Sequence, residues 1–413
     1  MATAAHSGEK KPFGKVIVRR VLITILLLLL MLVPMIVLLI ITRQPATTYA
    51  AMAAMIGMFA VLAGSTRLGV IVVVVASLLA PLAILAGLTP FTGAVLMAIM
   101  TAVVGRMSIF GLHRAVMLVP IFLAWLIISP VPWLPLNALD RINELMAKHG
   151  TTLATALDKM HPHAQTQAST APGPMKRIIG HALMEQRFDQ NYLIWIAVTF
   201  LVGGLFPVVI LPLVLRRFPL PKAAPVTHTR HEAVPYTITI TVLTAVATYW
   251  CLDHPKMTAG AFLIATIVVL AQVGGEIKWR LTIERVVGTL VGAAAFFLAV
   301  QAIGGTSYTE VLGMPFPLNM YGIGLVFGAL AILAKFSPRL WIYYVLIVPA
   351  AAALNAFSSN QAVNFGEQRF VDNAVGAVLV VAAALITLGA SHLDRRRHGD
   401  DEPSAMSPGA SPA

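Results

Sequence analysis

VLITILLLLLMLVPMIVLLIIT (Val21–Thr42) contains no charged side chain. A helix rises about 1.5 Å per residue, so about 20 apolar residues cross a hydrocarbon core of about 30 Å. This run is long enough. It also exceeds a signal-peptide core and lacks a convincing small-residue cleavage site, so it reads as a retained first span. The rest of the chain repeats the pattern. Hydrophobic residues make up 58% and charged residues 11%, with a mean hydropathy of +0.84. A soluble chain could not cover so much apolar surface. Helix-length runs separated by short polar punctuation favour a helical bundle over a barrel, whose strands would alternate every second residue.

Working outward, about twelve such spans are expected, at 21–42, 47–64, 68–88, 90–105, 115–132, 191–214, 233–252, 257–274, 284–303, 319–334, 340–355 and 369–391. Short connections make 47–64 with 68–88, and 68–88 with 90–105, expected helical hairpins. The formal charge of +12 follows the positive-inside rule rather than a nucleic-acid surface. Lys10, Lys11, Lys15, Arg19 and Arg20 place the N-terminal tail in the cytoplasm. Alternate crossings then put Arg67, Arg106, Arg114, Arg216, Arg217, Arg339 and Arg395–Arg397 on that same side. Arg43 and Lys256 are single exceptions in short outer turns.

The expected fold is all-α: a polytopic bundle of two parallel six-helix repeats, with both termini cytoplasmic. Its parts are a basic tail (1–20), a first membrane half (21–215), a basic linker (216–232), a second half (233–392) and a tail of disordered composition (393–413). The first half contains an outer loop, 135–190, in which residues 137–160 have the apolar spacing of an amphipathic helix. The repeat rests on two heptads, EQRFDQN (185–191) and EQRFVDN (367–373), each placed before the last span of its half. Six crossings separate them, so both copies share one orientation, as a repeat about the membrane normal requires.

Two strings carry candidate chemistry. In ERVVGTLVGA (284–293), Gly288 and Gly292 form a small-xxx-small pair that lets another helix approach closely, and Arg285 stands one turn earlier. Arg285 either snorkels beside a packing seam or faces an inner vestibule and attracts an anion. In RFVDNAVGAVLV (369–380), Arg369, Asp372, Asn373 and Gly376 have offsets of 0, 3, 4 and 7 and share one helical face. Ionisable residues inside a span cost about 2.5–3.5 kcal/mol each on insertion scales, so they are expected to face protein or water. Arg369 and Asp372 either form an intrahelical pair, or Arg369 holds a substrate carboxylate while Asp372 carries a proton.

These strings resemble motifs of the fusaric-acid-resistance (FUSC) family and its aromatic acid exporter relatives. The likeness lies in Arg-x-x-Gly-Thr-x-x-Gly opening a span, in the preceding helix HPKMTAGAFLIATIVVLAQVGG (254–275), and in the closing string from Arg369. It covers about residues 234–392. The resemblance implies export of small organic acids, typically aromatic carboxylates; more distantly, plant malate channels pair six-helix units around an anion path lined by basic residues. This chain departs from the fuller family pattern in having no large cytoplasmic domain between or after its halves.

The expected function is therefore an inner-membrane transporter of small organic anions in a bacterial plasma membrane, either a secondary exporter or a channel, and proton-coupled if Asp372 titrates. Arg285, Arg369 and Asn373 are the candidate substrate ligands, Asp372 the candidate proton carrier, and Gly288, Gly292 and Gly376 the packing positions. The expected partners are the anion and the bilayer, with no nucleic acid; a homo-oligomer is left open. No enzyme activity and no cofactor are expected. There is no GxxxxGK[ST], HExxH, GxSxG or CxxC string. The single cysteine, Cys251, cannot form an intrachain disulfide. His161 and His163 lack neighbouring ligands, so no metal site is expected. The competing reading is a polytopic glycosyltransferase or ligase using a lipid-linked donor, which would also combine many spans with an outer loop.

Overall fold

The computed structural model describes residues 13–42, 45–128, 190–217, 226–254, 260–271, 273, 279–303, 309–311, 314–316, 318–334, 340–354 and 359–398. The expected amphipathic helix at 137–160, His161, His163 and the first heptad up to Asp189 lie outside the described residues.

Thirteen helices are described: α1 (Phe13–Thr42), α2 (Tyr49–Ala63), α3 (Thr66–Ala86), α4 (Pro90–Met107), α5 (His113–Val116), α6 (Leu118–Ile128), α7 (Gln190–Arg217), α8 (Arg230–Asp253), α9 (Ala261–Leu270), α10 (Trp279–Ile303), α11 (Leu318–Ala334), α12 (Leu340–Leu354) and α13 (Ser359–His398). Among the described residues, eight helices are long and apolar enough to cross a membrane, and the chain is a multi-pass membrane protein. Four shorter apolar segments, His113–Ile128, Ala261–Leu270, Gly322–Ala334 and Trp341–Ala353, coincide with the remaining expected spans. The shortest, α9, has 10 residues, a rise of about 15 Å, or half of a typical hydrocarbon core. It nonetheless buries most of its side chains, because it lies inside the bundle. Among the described residues, the helical fold has one exception, a two-stranded antiparallel pair of β1 (Thr309–Val311) and β2 (Met314–Phe316).

Local chemistry sets several helix starts. The Ser65 hydroxyl accepts the Leu68 N–H at 3.2 Å to begin α3, and the Thr89 hydroxyl accepts that of Thr92 at 3.1 Å to begin α4. Pro90 occupies the first turn of α4, where its missing N–H costs nothing. Before α8, Glu232 accepts the Thr229 N–H at 3.1 Å.

The α2–α3 pair packs as the expected hairpin, but α4 lies chiefly along α8 instead of along α3. The α4–α8 seam runs antiparallel. Gly105 meets Thr237, the Thr101 and Thr244 hydroxyls bond at 2.9 Å, and Gly93 meets Leu252. At its charged end, the His113 and His228 rings stand 5.7 Å apart, and the His228 N–H donates to the Ser108 carbonyl at 3.3 Å.

The last helix of each half has a comparable setting: α7 lies against α2 and α3, and α13 against α9 and α10. Gly57 and Gly204 allow α2 and α7 to approach through their backbones. Contacts pair Ala50 with Gly203 and Gly57 with Val208, so α2 and α7 run the same way. Phe262 with Arg369 and Thr266 with Gly376 make α9 and α13 parallel too.

One expectation changes. The second heptad does not stand at the mouth of its helix, because α13 begins at Ser359, ten residues before Arg369. Arg369 therefore lies almost three turns inside a 40-residue helix, and Asp372 and Asn373 about one turn further. The polar stretch SNQAVNFGEQ before them does not break the helix, since it contains no proline and only one glycine.

Candidate functional site

Three helices converge on a buried polar cluster. α13 supplies Arg369, Asp372 and Asn373, α10 supplies Arg285 and Thr289, and the short α9 supplies Phe262 and Thr266. Arg285 is 9% exposed, Asp372 3% and Asn373 2%, while Arg369 is partly buried.

Arg285 does not snorkel to an interface. Its Nε donates to the Asn373 side-chain oxygen at 3.1 Å and its Nη2 to the Thr266 hydroxyl at 3.1 Å. The Tyr344 ring of α12 lies 5.5 Å from its guanidinium carbon, within cation–π range. Asn373 is held from both ends: its oxygen takes Arg285 and a close Thr266 hydroxyl, and its amide nitrogen donates to Thr289 at 3.2 Å. The Thr289 hydroxyl donates in turn to the Arg285 carbonyl at 2.7 Å. Each polar group here satisfies another, as burial in a low-dielectric interior requires. The Arg285–Asn373–Thr266–Thr289 set thus joins α9, α10 and α13.

Arg369 is placed differently. Its guanidinium carbon stands 4.3 Å from the centre of the Phe262 ring, and its buried Nε and Nη1 have no hydrogen-bond partner. Nor does the buried Asp372 Oδ2. The intrahelical Arg369–Asp372 pair is therefore not made through these atoms. A buried guanidinium and a buried carboxylate, each with unmet hydrogen-bonding capacity, stand one helical turn apart on α13. Phe262 also meets Trp125 of α6 edge-on, with ring centres 4.9 Å apart, which ties this end of the cluster to the first half of the chain.

The glycines occupy close approaches. A Cβ on Gly288 would come within 2.7 Å of the Tyr344 side chain, and one on Gly292 would run into the Val345 carbonyl, both on α12. One on Gly376 would come within 2.9 Å of Thr266. The small-residue face of α10 thus meets α12, while its Arg285–Thr289 face meets α13.

Sequence reasoning did not single out Thr266, Thr289, Phe262 or Tyr344. Threonine and aromatic residues are ordinary inside spans, and nothing in their spacing marks them as partners of a charge. Thr289 is part of the Arg-x-x-Gly-Thr string, which was the one available signal. Among the described residues, no group of three or more His, Cys, Asp or Glu could hold a metal ion.

Neither a curated protein nor a solved structure matches the chain. Residues 243–383 match the family model described as fusaric acid resistance protein-like, the family that the Arg285 and Arg369 strings resemble, and every side chain of the cluster from Phe262 to Asn373 lies within that match.

Proposed function

We propose that the chain is a membrane carrier for small organic anions, with aromatic carboxylates foremost, seated in a bacterial inner membrane as two parallel six-helix repeats. The fusaric acid resistance-like match supports a membrane transport or resistance role. The substrate reading is carried by one observation, the buried guanidinium of Arg369 with two unpartnered nitrogens against the face of Phe262. Buried guanidinium N–H groups without acceptors are expensive. A carboxylate ligand accepts those N–H groups in charge-assisted hydrogen bonds. An aromatic substrate adds ring contact with Phe262, and possession of both features favours an aromatic acid over a bare inorganic ion.

In this reading the two arginines have separate roles. Arg285 is engaged by Asn373 and Thr266 and positions the helices, while Arg369 receives the anion. Asp372, next to the receiving cation, is the proton carrier. A charged Asp372 and a bound carboxylate repel each other, so loading of the anion is coupled to the protonation state of that side chain.

Flux into liposomes containing the purified full-length chain tests this. Radiolabelled benzoate is expected to cross, and Arg369→Gln is expected to slow it about tenfold or more, the worth of a lost charge-assisted hydrogen bond. Arg369→Lys is expected to recover only part of the rate, since a point charge replaces a planar fork. Absence of flux for any organic acid, together with sugar transfer from a lipid-linked donor, would establish the enzyme reading instead. Flux indifferent to a pH gradient would remove Asp372 from the proton role. A reporter fused within 135–190 is expected on the outer side of that membrane, and a cytoplasmic signal would overturn the proposed orientation.

A further inference from the structure

The exposed surface of the first half carries a groove of about 650 Å³ between α1 and α7. Its walls are apolar, among them Leu22, Ile25, Leu29 and Leu213, each about half exposed. Arg216 and Arg217, at the C-terminal end of α7, also line it, and both are exposed. The two parts of the groove differ in chemistry: an apolar trough long enough to follow two turns of α1, and a paired cation at its end. Snorkelling alone would bring these arginines to the interface, but it does not require a trough beside them.

We propose that this groove is a binding site for one anionic phospholipid, with its phosphate between Arg216 and Arg217 and an acyl chain along α1. Charge complementarity selects the occupant. A zwitterionic lipid fits the apolar part equally well but brings a compensating cation towards the arginines. A lipid with a net negative charge offsets one of the two cations and is attracted by both. Basic pockets between membrane helices hold anionic headgroups on this basis. The helix C-terminus is itself electronegative and cannot hold the phosphate, so the arginine side chains carry that interaction. The site is separate from the Arg369 cluster, and either can fail without the other.

Native mass spectrometry of the full-length protein, extracted from vesicles of equal parts phosphatidylglycerol and phosphatidylcholine, reads the lipid that is retained. Phosphatidylglycerol is expected to be retained in preference. Its retention is expected to weaken about fivefold with Arg216→Gln, and about fivefold again with Arg217→Gln added. Ile25→Trp fills the trough and leaves both charges in place, and it too is expected to weaken retention. All three positions face outward, so the fold does not depend on them. Equal retention of both lipids would overturn the proposal, as would phosphatidylglycerol retention unchanged in the double-arginine and Ile25→Trp proteins. Inorganic phosphate held by the arginines as tightly as the lipid would do the same.

Discussion

α7 meets α2 and α3 through small residues: Gly57 and Gly204 bring two backbones together, Gly203 rests on Ala50, and Gly69 and Val73 complete the seat. α13 meets α9 and α10 through Arg285, Asn373, Thr266 and Thr289, all buried and bonded to one another. The two helices close their respective halves in comparable positions, yet one seat is apolar and the other polar. Between helices in lipid there is little hydrophobic drive, so close packing of small residues is an economical way to hold a seat. A buried arginine is not economical. The difference favours chemistry in the second half with the first as its support, and Trp125 against Phe262 links the two beside the α4–α8 seam.

The contrast can be broken most severely at Asn373. Asn373→Leu leaves the Arg285 Nε buried without an acceptor, and stranding a buried charged donor costs about 3 kcal/mol or more. Thermal unfolding in detergent is expected to show that loss together with loss of benzoate flux; a stable, inactive protein would mean that the network serves transport alone. Gly57→Ala tests the opposite seat. The new methyl collides with the Gly204 carbonyl, and overpacking of this kind costs about 1–3 kcal/mol. Folded Gly57→Ala protein is expected to keep the parent's apparent affinity for benzoate, and a changed affinity would show that the apolar seat reaches the site. The smallest effect is expected at the α4–α8 seam. Thr101→Val removes one inter-helix hydroxyl bond, worth about 0.6 kcal/mol in membranes. Its flux is expected to equal the parent's, because that seam touches neither arginine.

The apolar runs were plainly legible, since each must be long enough for the bilayer and the charges between them must sit in turns. All twelve expected segments coincide with apolar helices, eight of them of spanning length. Arg285, Arg369, Asp372 and Asn373 were legible for the same reason: polar side chains in apolar runs stand out. Their convergence was not. Arg285 and Asn373 are 88 positions apart, and which face of α10 meets α13 depends on helix rotation, which no pattern in either string specifies. The Gly57–Gly204 contact was hidden for a similar reason, because the close approach is visible only once two distant helices are paired. The start of α13 was misplaced because hydropathy marks where a helix enters lipid, whereas the helix itself begins earlier.

That longer helix also changes how the site can work. Forty residues rise about 60 Å, roughly twice a typical hydrocarbon core. Arg369 lies about 15 Å from the near end and about 40 Å from the far one. The helix is therefore an unequal-armed lever with its fulcrum at the cluster. A rocking of about ten degrees around Asn373 sweeps the His398 end by about 7 Å, while the Ser359 end moves by about 4 Å. Loading or unloading an ion at the fulcrum would then be read most strongly at the far end, among Arg395, Arg396 and Arg397.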